Sequence, residues 1–144
     1  MSFHLDKQTI EVGAAVLVLL VMIGLGVLVI FSRKNKNRSS YAVRWKENQK
    51  LLAKKETWKD AVLGADKLLD DMLKHRHFKG KTMGERLVSA QHELSANDSA
   101  WFSHKLRNKI DADNMPLTKA EVKKALLGFW QALKDLGAFK KDGK

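Results

Sequence analysis

The side chains best suited to chemistry lie in one short stretch, residues 101–113. They are a histidine, a lysine, an arginine and an asparagine: His104, Lys105, Arg107 and Asn108. A histidine can take up or release a proton near neutral pH, and an arginine can bind a planar anionic group through paired hydrogen bonds. We therefore treat these four residues as candidate contacts for a ligand.

A structural role for the same residues is the main alternative. Arg107 can form an ion pair with an acidic residue of a preceding helix, such as Asp66 or Asp70. Asn108 can order the end of its helix and the turn predicted at residues 111–116. Both interpretations stay open at the level of the sequence.

Other combinations of reactive side chains are less suitable. His75 and His77 flank an arginine in a basic loop, which repels a metal cation. His92 and Glu93 are adjacent on a predicted helix, so their side chains point apart. The serines lack a nucleophile motif, and the absence of cysteine removes thiol nucleophiles and zinc-thiolate sites. We predict no catalytic residue, no metal and no cofactor.

An uninterrupted apolar run precedes this part of the chain, from Val12 to Phe31. About 20 residues at 1.5 Å each span the hydrocarbon core of a bilayer, so we predict a transmembrane helix over residues 12–31. A cleavable signal peptide is disfavoured because the front end is not basic and no small-x-small cleavage site follows. A pilin-like processing site is disfavoured because Asp6 stands where that family has glycine.

Basic residues are concentrated directly after the apolar run. Between Arg33 and Lys55 there are nine lysines and arginines against one acid, Glu47. Under the positive-inside rule this places the C-terminal domain in the cytoplasm and residues 1–11 outside, at a plasma (inner) membrane. We predict that residues 32–56 are a basic juxtamembrane linker or helix that contacts anionic lipid headgroups. The predicted headgroup contacts are Arg33, Lys34, Lys36, Arg38 and Arg44. A solvated stalk that only sets topology is the alternative, and nucleic-acid binding is a weaker one.

The remainder of the chain predicts four amphipathic helices and no strand. The clearest runs from Thr57 to Lys74 with Thr57 as N-cap, followed by a helix that begins at a Thr82-to-Glu85 capping box. A third helix is predicted from Ala100 to Ile110, and a fourth begins at a second capping box, Thr118 to Glu121, and ends at Gly137. We therefore expect an all-α protein: a transmembrane helix, a small antiparallel four-helix bundle over residues 57–137, and a flexible basic tail over residues 138–144.

Three blocks of sequence carry a resemblance to a known family. They are Trp58–Asp70, Thr82–Leu87 and His104–Asp113. Together they resemble an uncharacterised group of bacterial single-pass membrane proteins with a HEPN-like helical domain. The resemblance implies a helical bundle that binds nucleotide or RNA. HEPN ribonucleases pair an arginine and a polar residue with a following histidine. Arg107 and Asn108 match the pair, but Ala112 occupies the histidine position.

These observations together predict a membrane-anchored cytoplasmic binding or scaffold module, not an enzyme. Its expected partners are the bilayer and an unknown cytoplasmic protein, with a homodimer as a further alternative and nucleic acid disfavoured. The rival function is a membrane-tethered HEPN-type ribonuclease in which Arg107 works with His104 or Asp113. A degenerate nucleotide- or RNA-binding domain is the third alternative.

Overall fold

The first helix, α1, runs from Lys7 to Lys50 in a computed structural model that describes residues 7–113 and 116–139. Within it, the 24-residue segment Ile10–Arg33 is long and apolar enough to cross a membrane, and no other helix of the described ranges is. Its large side chains are exposed to the surroundings, which suits a helix whose solvent is hydrocarbon. Residues 1–6 of the predicted N-terminal tail lie outside the described residues.

A helical bundle makes up the second of two compact units, which are Met1–Asn37 and Arg38–Lys144. Two 3₁₀ turns follow α1, at Leu51–Ala53 and Lys55–Thr57, and a third is at Gln91–Glu93. The other helices are α2 (Trp58–His75), α3 (Met83–Ala90), α4 (Asn97–Asp113) and α5 (Lys119–Asp135). No strand occurs in residues 7–113 or 116–139. The predicted all-α bundle is confirmed.

The three long helices α2, α4 and α5 alternate in direction. At the end of α2, Arg76 pairs with Glu93, which lies just before α4. In the same way Ser95, just before α4, donates through its hydroxyl to Asp135 at the end of α5. Their apolar stripes form one core around Phe129, which is completely buried. Helix α4 therefore runs antiparallel to both α2 and α5, which also pack against each other.

The last turns of α1 belong to this core. Trp45 is 6% exposed, and the amide of Asn48 donates to the carbonyl oxygen of Ala61 at 2.8 Å. The compact unit begins at Arg38 and so includes the C-terminal part of the predicted linker or helix over residues 32–56. This attachment is hard to predict because a basic segment with few apolar residues shows only a weak helical stripe.

The predicted capping interactions form at the start of α5 but not at the start of α2. The side chains of Thr118 and Glu121 form the reciprocal capping box predicted for α5. Gly137 ends α5 at φ 81°, a backbone conformation that suits glycine. Thr57 occupies the predicted N-cap position of α2, but its side chain does not cap the helix, because its hydroxyl donates to the carbonyl oxygens of Leu51 and Lys54. Its hydroxyl therefore closes the preceding 3₁₀ turns.

The C-terminal boundary also differs from the predicted tail over residues 138–144. Ala138 is buried, and the ring of Phe139 lies between those of Trp45 and Trp130, with centroids 6.3 Å and 6.4 Å away. Residues 140–144 of that tail lie outside the described residues. The core thus extends at least to Phe139.

Candidate functional site

An open pocket of about 770 Å³ lies between α2, the segment before α3, α3 itself and α4. Its lining is dominated by charged and polar side chains. They are Asp66, Lys67, Asp70, Lys81, Thr82, Arg86, His104, Arg107, Asn108 and Asp111. Three of the four residues singled out on α4 are among them. The pocket therefore brings the predicted candidates together with residues of two other elements.

The lining of the pocket includes a buried contact between a histidine and a carboxylate. His104 Nδ1 lies 2.8 Å from Asp66 Oδ1, and both residues are more than nine-tenths buried. Because a carboxylate oxygen accepts hydrogen bonds, Nδ1 is the donor in this contact. Nε2 lies 3.4 Å from the Asn108 amide nitrogen. Trp101 packs against the imidazole edge-on, with ring centroids 6.1 Å apart.

Arg107 contacts both the buried Asp66 and the more exposed Asp111. Its Nε lies 3.4 Å from Asp66 Oδ2, and one terminal nitrogen lies 2.8 Å from Asp111 Oδ2. The same nitrogen donates to Asn108 Oδ1 at 3.2 Å. Of the two acids considered from the sequence, Arg107 therefore pairs with Asp66 and not with Asp70. Its side chain stays 34% exposed and accessible from the pocket.

A second ion pair stands beside the first. The Arg86 guanidinium donates to Asp70 Oδ1 and to the carbonyl oxygen of Gly80, and its side chain is 8% exposed. Lys74 also contacts Asp70, at 2.6 Å. Burial disfavours ionisation of Asp70, but the hydrogen bonds from Lys74 and Arg86 outweigh it and hold its pKa below the ordinary value. The carboxylate is thereby fixed in its charged form.

The segment before α3 positions Arg86. Gly80 has φ 150°, and a Cβ there would lie 2.7 Å from the Arg86 backbone nitrogen. Thr82 caps α3 by accepting from the Glu85 N–H at 3.2 Å. The Glu85 carboxylate accepts from the Lys81 N–H, one residue earlier than the predicted capping box requires. This tight turn holds Lys81 and Arg86 at the pocket.

Lys105 does not belong to this site. It lines a separate pocket of about 610 Å³ with Asp98, Trp101 and Phe102. Neighbouring residues of an α-helix point about 100° apart, so Lys105 faces away from His104 and Arg107. The structure therefore brings three of the four α4 candidates to one pocket and leaves Lys105 outside it.

The predicted headgroup contacts divide into three groups. Arg33 and Lys36 are exposed on α1. Lys34 and Arg38 are also part of α1, but their side chains lie outside what the structure describes. Arg44 contacts other protein side chains: its guanidinium pairs with Asp71 at 2.7 Å and lies 5.9 Å from the centre of the Tyr41 ring. Arg44 therefore contributes to attaching α1 to α2.

Sequence reasoning missed the roles of Lys81 and Arg86 in the site. Arg86 lies in one of the three sequence blocks quoted above, and Lys81 lies directly before it. All three blocks contribute residues to the pocket, so their sequence was the signal that could have found both residues. In the described ranges, no group of three or more His, Asp or Glu side chains is arranged to hold a metal ion. The chain matches no family model, no curated protein and no solved structure.

Proposed function

We propose that this protein is a membrane-anchored binding module that uses the α2–α3–α4 pocket to recognise a cytoplasmic partner, and that it is not an enzyme. The observation that carries the proposal is that basic side chains hold two carboxylates in one pocket wall: His104 and Arg107 contact Asp66, and Arg86 contacts Asp70. Buried ion pairs add little net stability compared with apolar packing. A recognition role accounts for their place beside an open pocket better than stability does.

The resemblance to HEPN-like domains supports the same proposal. Its three blocks meet at the pocket through Asp66 and Asp70, through Thr82 and Arg86, and through His104, Arg107 and Asn108. Residues far apart in the sequence thus contribute to one surface, as a recognition site requires. At the position of the catalytic histidine, Ala112 is exposed and has no group that can transfer a proton.

The proposed topology follows from the basic residues after the apolar segment. Arg33, Lys34, Lys36 and Arg38 hold the C-terminal domain in the cytoplasm and contact anionic headgroups, with the N-terminus outside a bacterial inner membrane. Protease protection of a C-terminally tagged chain in intact cells tests this arrangement. A tag digested from outside contradicts it.

The binding role is tested by affinity capture of the full-length chain from membranes. We expect a partner that is retained by the wild type and by Lys105→Ala but lost in Arg107→Ala. Lys105→Ala is the matched control, because it removes a basic residue from the same helix without touching the pocket. Equal capture by all three chains contradicts the proposal. If the captured partner is a second copy of the chain, two differently tagged copies will co-purify. A different partner will be captured without the second tag.

A ribonuclease is the second candidate, and the Asp66–His104 pair is the observation that favours it. A histidine oriented by a carboxylate, with Nε2 towards the pocket and Arg107 adjacent, has the composition of an acid–base site. The rival partner Asp113 has a side chain outside the described residues. Incubating the full-length chain with RNA across a range of pH decides between the two functions. Cleavage that disappears in both His104→Ala and Arg107→Ala establishes the enzyme, and intact RNA excludes it.

A further inference from the structure

The charges that line the α2–α3–α4 pocket do not balance. Each described carboxylate in the lining already has basic partners: Asp66 has His104 and Arg107, Asp70 has Arg86 and Lys74, and Asp111 has Arg107. Lys67 and Lys81 line the same pocket, and neither forms an ion pair with any residue that the structure describes. The unmatched charge in the pocket is therefore positive.

Three cationic groups consequently have hydrogen-bond donors that can reach a bound molecule. They are the ammonium groups of Lys67 and Lys81 and the partly exposed guanidinium of Arg107. Several donors around one pocket suit an anion with several acceptor oxygens and more than one negative charge. A phosphate monoester has three such oxygens and a charge of roughly −1.5 to −2 near pH 7. A phosphodiester has only two free oxygens and one charge.

Gly84 keeps the pocket accessible next to His104. A Cβ at Gly84 would lie 3.7 Å from His104 Nε2 and 3.7 Å from the Trp101 ring, so the backbone itself lines the pocket here. The volume of about 770 Å³ leaves room for a phosphate together with the group that carries it. A larger side chain at residue 84 would occupy this space without changing any charge.

We propose that the pocket binds a phosphate monoester, carried by a small molecule or by the partner, through Lys67, Lys81 and Arg107. This inference rests on the proposed recognition role and specifies its chemistry. Lys81 is the most informative residue, because its side chain is exposed and its removal leaves the Asp66–His104 contact and the Asp70–Arg86 ion pair intact.

The test uses the full-length chain in detergent micelles, with methyl phosphate as the monoester probe and dimethyl phosphate as the diester probe. Binding is followed through the ring signals of His104 by nuclear magnetic resonance at constant ionic strength. We expect a saturable shift with methyl phosphate and none with dimethyl phosphate. Each charge-assisted hydrogen bond that is removed should weaken binding about tenfold, as in Lys81→Ala.

Two variants locate the binding. Lys79→Ala is the matched control, because this exposed lysine lies in the same segment as Lys81 and outside the lining, so its affinity should equal that of the wild type. Gly84→Leu should abolish the shift by filling the pocket. A response without saturation, an equal response to the diester, or an equal loss in Lys79→Ala would overturn the inference.

The failure of this inference and that of the proposed function are distinguishable. If partner capture depends on Arg107 while methyl phosphate does not bind, the phosphate inference is wrong and the recognition role stands. If methyl phosphate binds in a Lys81-dependent way while no partner is captured, the phosphate site stands and the adaptor role is wrong.

Discussion

Helix α4 has two sides that are built in opposite ways. One side meets α5 in a dry seam, where Ser103 is completely buried and donates to the carbonyl oxygens of Ser99 and Ala125. The other side meets the pocket, where His104 and Arg107 surround a buried carboxylate. At Ser103 and Gly128 the seam brings small residues into close contact, whereas the pocket wall uses charge and leaves space.

The two sides of α4 differ in what they contribute to the free energy of folding. A close helix contact with satisfied hydrogen bonds adds packing energy without desolvating an ion. A buried ion pair must overcome the desolvation of both partners, so its net contribution is small while the loss of one partner is costly. We interpret the seam as the structural side of α4 and the pocket wall as its functional side.

The largest effect should come from filling the seam. A Cβ at Gly128 would lie 2.3 Å from Ser103 Oγ and 2.4 Å from the Ser99 carbonyl oxygen, so Gly128→Val must separate α4 from α5. We expect the free energy of unfolding to fall by about 3 kcal/mol or more, as for an overpacked core. Thermal unfolding of the full-length chain in detergent measures this loss.

Gly84→Ala is the control for this prediction. It is also a glycine on a helix, but a Cβ there makes only ordinary contacts at 3.7 Å or more. Its melting temperature should match or exceed that of the wild type, because alanine favours a helix over glycine. Equal destabilisation at both glycines would remove the distinction between a closed seam and an open pocket.

A smaller effect is expected from breaking the ion pair on the pocket side. Asp66→Ala leaves His104 and the Arg107 Nε without their carboxylate, although Arg107 keeps Asp111. We expect a loss of about 2 kcal/mol, below the full cost of an isolated buried charge because Arg107 is partly exposed. Chemical denaturation of the two chains measures it, and an unchanged midpoint would show that the pair is not formed.

The ion pair between Asp70 and Arg86 should have a smaller effect on stability, and this effect should depend on pH. Since the pKa of folded Asp70 is lowered by Lys74 and Arg86, its stabilising contribution is complete above the unfolded pKa of about 3.9. That contribution disappears as the pH falls through the folded pKa. The wild type should therefore lose stability below about pH 4 more steeply than Asp70→Asn. An equal loss of melting temperature with falling pH in the two chains would contradict the lowered pKa of Asp70.

The sequence predicts the elements of this fold better than their contacts. The regular apolar stripe of α2 and the Thr118–Glu121 capping box are local patterns, and both appear as expected. The attachment of Trp45 was not predicted, because one buried tryptophan does not produce a periodic pattern. Lys105 was grouped with Arg107 through proximity in the sequence, although it faces another pocket.

The candidate site illustrates the same limit. His104 and Asp66 are 38 residues apart, and nothing local to either residue indicates that they form a pair. Arg107 could be assigned a carboxylate partner from charge alone, but the choice between Asp66 and Asp70 depends on how α2 and α4 are rotated. That rotation is set by side-chain packing in the core, which a single sequence does not reveal.

The most direct test of the central claim replaces the charged cluster with apolar residues. Asp66→Leu, His104→Leu and Arg107→Met are combined in one full-length chain, and both melting temperature and partner capture are measured. We predict a melting temperature equal to or above that of the wild type, together with loss of capture, because charges kept for recognition are dispensable for folding. A chain that unfolds at much lower temperature, or one that still captures the partner, would contradict the account.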